Sequence, residues 1–260
     1  MKALKRRLQA KQTVIGSWLS FNYTATAEIV SKAGFEFVVV DMEHPATGTE
    51  GAWQLIQIIE LCGSVPLVRV GANDPLLIKH ALDSGAHGVV VPMVNTVEDA
   101  KRAIQAAYYP PVGTRGVGLW RAQGYGAGFE AYKSRAIHET IVVAQIEHYL
   151  AVENLDLILD LDGIDAFIVG PYDLSGSVGD PGNFRNPRFL ACLEKVQRVL
   201  QNHAKPGGFH LVHPSLCGGE LQEKVRMGAR FLVYGADEVF FSSTIAEHVA
   251  HLRELELLSK

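Results

Sequence analysis

The chain has 260 residues, 48% of them hydrophobic and 20% charged, enough to bury a sizeable core and to exclude a disordered or fibrous protein. Twenty-four basic against 28 acidic residues leave a formal charge of −4, so no basic excess exists to neutralise phosphates and nucleic acid is not an expected partner. Its 25 Gly and 11 Pro are spread along the chain rather than gathered into a linker, so a single turn-rich domain over residues 1–260 is expected.

The first residues, Met1-Lys2-Ala3-Leu4-Lys5-Arg6-Arg7, are basic, but residues 8–13 are polar where a signal sequence needs an apolar segment. Strand-like apolar runs and helical periods then alternate. The run 14–19 precedes a helical pattern at 25–32, 35–40 precedes 49–61, 66–70 precedes 75–83, and 88–94 precedes 96–107. After an irregular stretch the order resumes with 141–147 and 149–159, 164–169 and 187–203, 208–212 and 220–227, and 230–234 and 238–255. The strand-like runs are apolar almost throughout, which marks parallel strands buried on both faces. Asn73-Asp74-Pro75, Asn95-Thr96 and Asn186-Pro187 read as helix starts, and Gly34, Gly85 and Gly228 as helix stops.

Eight strand–helix units in roughly 250 residues predict a (β/α)8 TIM barrel. The competing architecture, an open doubly wound sheet, usually carries a G-x-G-x-x-G turn after its first strand; here that strand runs into Leu19-Ser20-Phe21-Asn22. Residues 109–128 hold six Gly and two Pro without clear periodicity, the composition of a functional loop. No apolar run approaches the about 20 residues of a membrane helix, so no membrane partner is expected. Cys62, Cys192 and Cys217 are odd in number and lack Cys-x-x-Cys spacing, so neither a disulfide framework nor a zinc knuckle is expected. A reducing cytoplasm fits best.

Barrel active sites form at the carboxyl ends of the strands. The second run ends in Asp41-Met42-Glu43-His44, the third carries Arg69, the fifth ends in Gln145-Ile146-Glu147, the sixth in Gly170-Pro171-Tyr172-Asp173, and the seventh carries His210 with His213 following. Glu147 and Asp173, with no adjacent His or Cys, form a sparse oxygen site of the kind that suits Mg²⁺ or Mn²⁺ and a chelating substrate such as a 2-oxo acid. Arg69 is placed to stabilise a developing oxyanion. His44, a side-chain type that titrates near neutrality, is the natural general base, with Asp83 or Asp41 as the carboxylate behind it. No Lys stands at a strand end, against Schiff-base chemistry.

Asp41-Met42-Glu43-His44, Val68-Arg69, Val91-Pro92-Met93-Val94, Tyr109-Pro110-Pro111-x-Gly113-x-Arg115-Gly116-Val117-Gly118, Gln145-Ile146-Glu147 and Gly170-Pro171-Tyr172-Asp173-Leu174-Ser175 together resemble the HpcH/HpaI family of metal-dependent, pyruvate-specific class II aldolases. The resemblance runs from about Gly16 to Glu247. It implies a barrel of the phosphoenolpyruvate/pyruvate-domain type that cleaves a 4-hydroxy-2-oxo acid to pyruvate and an aldehyde. It implies that a divalent ion (Mg²⁺, Mn²⁺ or Co²⁺) sits on Glu147 and Asp173, and that Gln145 and the Tyr172 amide, in the Gly170-Pro171 turn, hold the pyruvate oxygens. It also implies His44 as base, Asp83 as the acid behind it, Arg69 as transition-state stabiliser, and a C-terminal helix over 238–255 exchanged within a homohexamer built as a trimer of dimers.

The phenol of Tyr172, the loop Leu119-Trp120-Arg121 and the seventh run Gly208-Phe209-His210 depart from the best-known dicarboxylate-cleaving members. Trp18, Trp120, Arg121 and His210 are therefore the candidate lining of the aldehyde pocket, with Arg121 a candidate ligand for an acidic aldehyde. Two further readings are a lyase or decarboxylase acting on another 2-oxo diacid such as oxaloacetate, and a non-catalytic metabolite-binding barrel.

Overall fold

The computed structural model of the chain describes residues 2–213 and 221–258. Eight parallel strands close into a barrel in sequence order: β1 (Val14–Leu19), β2 (Phe37–Asp41), β3 (Val65–Arg69), β4 (Gly88–Val91), β5 (Ile141–Ile146), β6 (Ala166–Val169), β7 (Gly207–Leu211) and β8 (Phe231–Ala236). The pairing of β1 with β8, Val14 opposite Phe231, closes the sheet and excludes the open doubly wound alternative.

Each strand buries both faces, which is why its sequence is apolar at most positions. Alternate residues Trp18, Phe37, Val39, Leu67, Val90, Ile141, Val143, Ala166, Ile168, Phe231 and Val233 form the core inside the barrel. Their neighbours, among them Val38, Val40, Val68, Val142 and Phe167, pack outward against the helices. Inside, Phe37 and Phe231 stack at 4.8 Å. A Cβ at Gly16 would lie 2.4 Å from the Phe37 ring, so only glycine leaves room for that pair.

The helices are α1 (Lys2–Gln9), α2 (Thr24–Lys32), α3 (Thr49–Leu61), α4 (Pro75–Asp83), α5 (Val97–Ala107), α6 (Phe129–Glu139), α7 (Tyr149–Glu153), α8 (Leu155–Leu159), α9 (Pro171–Ser177), α10 (Pro187–Asn202), α11 (Leu221–Arg226) and α12 (Asp237–Glu254). The predicted starts are capped: Asp74 accepts from the Leu76 and Leu77 amides, Thr96 forms a reciprocal box with Asp99, and Asn186 accepts from Arg188. Gly34, Gly85 and Gly228 follow their helices at φ +103°, +102° and +108°, the left-handed stop that glycine adopts without strain.

Several features differ from the sequence reading: no predicted helix covers α9, and β4 ends at Val91 rather than at residue 94. Residues 2–9 form α1, whose Leu4 and Leu8 plug the amino end of the barrel while Lys5 Nζ lies 3.0 Å from Asp165. The stretch 109–128 contains a 3-10 helix over Arg121–Gly126 and leads into α6, whose weak periodicity reflects a helix burying only Tyr132 and Ala136. The pattern 149–159 breaks at Asn154, whose side chain donates to the Asn95 carbonyl at 2.9 Å. β8 runs to Ala236, two residues past the predicted end. Cys217 and residue 220, the first of a predicted helix, lie outside the described residues. α12 buries only Asp237 and exposes Phe241, Ile245 and Leu252.

Candidate active site

The same two-residue period that fills the barrel with apolar side chains brings polar ones to its mouth. Following the inward positions upward leads to Trp18 on β1, Asp41 on β2, Arg69 on β3, Gln145 on β5 and His210 on β7. These residues line a cavity of 520 Å³ together with His44, Gly170, Pro171, Tyr172 and Asp173 from the loops above.

Arg69 is the most constrained of them. Its Nε and Nη2 donate to the two Asp41 carboxylate oxygens at 2.8 and 2.6 Å, its Nη1 lies 3.0 Å from Glu43, and its guanidinium carbon stands 4.6 Å over the Trp18 ring. Burial alone would raise the pKa of Asp41, yet the hydrogen bonds and charge of Arg69 hold it below the usual carboxylate value. Asp41 thus orients Arg69 in a fork rather than standing behind His44. Glu43 has the opposite balance. Burial pushes it up to about 7, Arg69 opposes, and the charges of Glu147, Asp41 and Asp173 add to the rise.

Glu147 is 3% exposed. Its Oε1 accepts the Met93 amide at 2.7 Å and its Oε2 accepts from the Gln145 side chain. Met93 reaches it from a left-handed backbone at φ 52°, a conformation that a non-glycine residue adopts only where its surroundings impose it. A Cβ at Gly170 would sit 3.2 Å from Glu147 Oε2, so that glycine keeps the carboxylate in place. Asp173 lies exposed in the first turn of α9. There the Tyr172 and Asp173 amides precede the first intrahelical bond, from Leu174 to Gly170 at 3.0 Å, and such amides favour an anion. The Tyr172 ring turns edge-on to Phe184 at 5.1 Å.

His44 is exposed at the mouth in the β2–α3 loop. Asp83 is not beside it. Asp83 sits at the far end of α4, where Arg115 Nη2 at 2.6 Å and Gln123 Nε2 at 3.1 Å donate to its Oδ1. Two other expected residues also lie away from the mouth of their own barrel. Trp120 packs on Trp53 at 5.9 Å and Tyr125 at 5.6 Å, and Arg121 is ion-paired with Glu60 and bonded to the Ser84 carbonyl. The physical reason is the partner that each finds on the outer faces of α3 and α4. Trp18 and His210, by contrast, stack together in the cavity wall at 4.6 Å and 16°.

The sequence reading missed Glu43 as the second carboxylate on Arg69, although it stands within the motif that follows β2. It also missed Asp237 and Glu238. Asp237 accepts from the Ser20 and Phe21 amides at 2.7 and 3.0 Å, fixing the β1–α2 loop, and Glu238 lines the cavity, its pKa raised to about 7 chiefly by burial. The signal was there: both follow directly on the true end of β8.

The sequence profile of the HpcH/HpaI aldolase/citrate lyase family matches residues 14–242. The chain belongs to this family. It is 35% identical to the 2-keto-3-deoxy-L-rhamnonate aldolase of Klebsiella pneumoniae subsp. pneumoniae over 95% of this chain and 91% of that one. With the enzyme of the same name from Salmonella typhi it shares 32% identity over 98% and 94%. Among solved structures, an HpcH/HpaI aldolase/citrate lyase family protein from Burkholderia cenocepacia J2315 superposes with a TM-score of 0.90 at 27% identity, covering 97% of this chain and all (100%) of that one. An HpcH/HpaI aldolase from Desulfitobacterium hafniense DCB-2 does so at 0.85 and 30%, over 96% of each chain.

Members of this family depend on a divalent metal ion. Among the described residues no group of three or more His, Cys, Asp or Glu side chains forms a metal cage. The family's mouth fits a cation nonetheless. Burial and the charge of Asp173 raise the pKa of Glu147, and Glu43 rises for the same reasons, so the carboxylates gathered here repel one another until a positive charge joins them. Two carboxylates with all-oxygen donors suit a hard ion that takes its other ligands from substrate and water.

Proposed function

We propose that the chain catalyses reversible aldol cleavage of a 2-keto-3-deoxy acid, that is, a 4-hydroxy-2-oxo acid, to pyruvate and an aldehyde. The observation that carries this reading is the convergence of Glu147, Asp173, Gln145, Arg69 and His44 on one barrel mouth, in a chain whose curated relatives are 2-keto-3-deoxy-L-rhamnonate aldolases. Glu147 and Asp173 hold the divalent ion, Mg²⁺, Mn²⁺ or Co²⁺. Bound there, it supplies the Lewis acidity that polarises the 2-oxo group.

The residues of the chain do the rest. Gln145 and the Tyr172 amide, in the turn of Gly170 and Pro171, orient the 2-oxo acid. His44 accepts the proton of the 4-hydroxyl as the C3–C4 bond breaks, the bonding pair passes into the pyruvate enolate, and a proton returned to C3 completes pyruvate. Arg69, its orientation fixed by Asp41 and Glu43, presents a permanent positive charge to the developing enolate oxygen. Asp83 forms no hydrogen bond with the His44 of its own chain, its Oδ1 being engaged by Arg115 and Gln123, and it joins this scheme only where a neighbouring copy brings it to His44. The exposed Val117, Leu119, Trp120 and Tyr125 of the adjoining loop, and the uncovered face of α12, support a homo-oligomer with exchanged C-terminal helices, assembled as a hexamer. A cytoplasmic location accords with Cys62 and Cys192 being free thiols.

The test is deuterium exchange into the pyruvate methyl group together with aldehyde-dependent carbon–carbon bond formation. Both are expected to vanish with EDTA and return with the divalent ion. Full activity in EDTA overturns the metal assignment. Oxaloacetate decarboxylation without any aldehyde-dependent product overturns the aldolase reading in favour of a decarboxylase.

A further inference from the structure

The barrel mouth leaves the basic start of the chain unused. Residues 1–11 hold five cations, Lys2, Lys5, Arg6, Arg7 and Lys11, and no acid, in a chain whose formal charge is −4. Lys5 is neutralised by Asp165 and Arg7 by Glu36 at the amino end of the barrel. Lys11 is not. It follows α1 in a left-handed turn at φ 51° and meets Arg226 and Arg230 around a cavity of 350 Å³.

No carboxylate lines this cavity. The mouth, by contrast, holds Asp41, Asp173 and Glu238, and two further cavities hold Glu60 with Glu139 and Asp162 with Asp165. Among the described residues none of the three cations is in an ion pair. Arg230 is nonetheless fixed in place. Its Nη1 donates to the carbonyls of Val225 and Ala229 at 3.0 and 2.7 Å, while Nε and Nη2 have no partner among the described residues.

Helix dipoles account for only part of this charge. Lys11 lies two residues beyond α1, Leu200 and Gln201 stand in the last turn of α10, and Arg226 closes α11, so three helix carboxyl ends meet here. Each brings about half an elementary negative charge, and together they cancel about half of the three cations. The excess of about +1.5 matches a phosphomonoester, which carries about −1.5 to −2 at pH 7. Guanidinium groups bond phosphate oxygens in pairs, and Leu200 and Pro206 offer an apolar surface to the organic part of such a ligand. A monocarboxylate brings a single charge, and a nucleic acid needs a basic surface far larger than three side chains.

We propose that Lys11, Arg226 and Arg230 form a phosphomonoester-binding site at the amino end of the barrel, opposite the mouth. Arg230 immediately precedes β8 and Glu238 lies beyond its other end, so about 20 Å of strand separates the two sites. The assignment does not depend on the aldolase reading above.

The experiment is calorimetric titration of the metal-loaded chain at low ionic strength, with glycerol 3-phosphate and inorganic phosphate as probes and glycerol and acetate as controls. The wild type is expected to bind glycerol 3-phosphate at one site per chain, to bind neither control, and to lose affinity as NaCl is added. Arg226 is exposed, so Arg226→Glu is expected to fold as the wild type does and to weaken binding by about tenfold or more, the scale of a lost charge-assisted hydrogen bond. Lys11→Gln is expected to weaken it in the same direction. Failure of the wild type to bind either phosphate overturns the site without any variant. Undiminished affinity in both Arg226→Glu and Lys11→Gln overturns its location, and acetate binding as tightly as glycerol 3-phosphate overturns the ligand class.

Discussion

Replacing Arg69 by Met is the most informative single perturbation, because it removes a charge and leaves the volume nearly unchanged. Asp41 is 2% exposed and receives two charge-assisted hydrogen bonds from Arg69, at 2.8 and 2.6 Å. In Arg69→Met that carboxylate stays buried with its fork gone, and removing one partner of a buried ion pair costs about 3–5 kcal/mol. For a chain of this size about 1 kcal/mol moves Tm by about 2–4 °C, so a drop near 10 °C is expected in thermal unfolding followed by circular dichroism. The pH dependence tests the cause. In the wild type Asp41 has a native pKa below its unfolded value, so its contribution is present above that value and disappears as pH falls through the native one. In Arg69→Met only the hydrogen bonds from the Glu43 amide and the Trp18 side chain still oppose burial, so the native pKa rises above its wild-type value and the penalty, full at neutral pH, fades in acid. The stability gap between the two proteins therefore narrows as pH falls. Adding Asp41→Asn to Arg69→Met removes the stranded charge, and the double variant is expected to recover at least about half of the lost Tm. A single variant within about 2 °C of wild type, or a double variant that loses the sum of both changes, would refute the account of Arg69 as a residue held by buried charge.

The barrel and most of its mouth were legible because both rest on short-range rules. A strand buried on both faces reads as an unbroken apolar run, and a polar residue at its carboxyl end has one place to go. That logic gathers Asp41, Glu43, His44, Arg69, Gln145, Glu147, Asp173 and His210 at one rim. It failed where a side chain travels sideways. Asp83 ends a nine-residue helix that descends from the mouth at about 1.5 Å per residue, and its partners Arg115 and Gln123 come from a loop more than 30 positions away. Arg121 looked available because its counter-charge, Glu60, is 61 positions earlier on another helix. Glu238 escaped because the predicted run stops at Tyr234, two residues before β8 ends at Ala236. α6 escaped because a helix burying two side chains carries little of the period that reveals helices.

His44→Ala is expected to lower kcat for aldol cleavage by about 10²–10⁴-fold in steady-state assays, and retention of wild-type kcat removes it as base. Gly170→Ala places a methyl 3.2 Å from Glu147 Oε2, so weaker metal binding is expected by calorimetric titration with Mn²⁺; an unchanged affinity sinks the claim that this glycine seats the carboxylate. His210 supplies a prediction about acid stability. Its native pKa of about 4 lies below the ordinary 6.5, so from pH 6.5 downward the unfolded chain takes up a proton that the native chain refuses until about pH 4. Stability from this residue is therefore undiminished above pH 6.5 and falls by up to about 3 kcal/mol across that window, at about 1.4 kcal/mol per pH unit. His210→Leu lacks this proton uptake, while the carboxylates that face the ring region, Asp41, Glu43 and Glu238, are common to both proteins. Urea unfolding of the two metal-free proteins between pH 7.5 and 4.5 is accordingly expected to show the wild type losing stability relative to the variant as pH falls. A difference that stays level across that range means that the ring takes up its proton as readily inside the barrel as in water, and burial would no longer account for its charge.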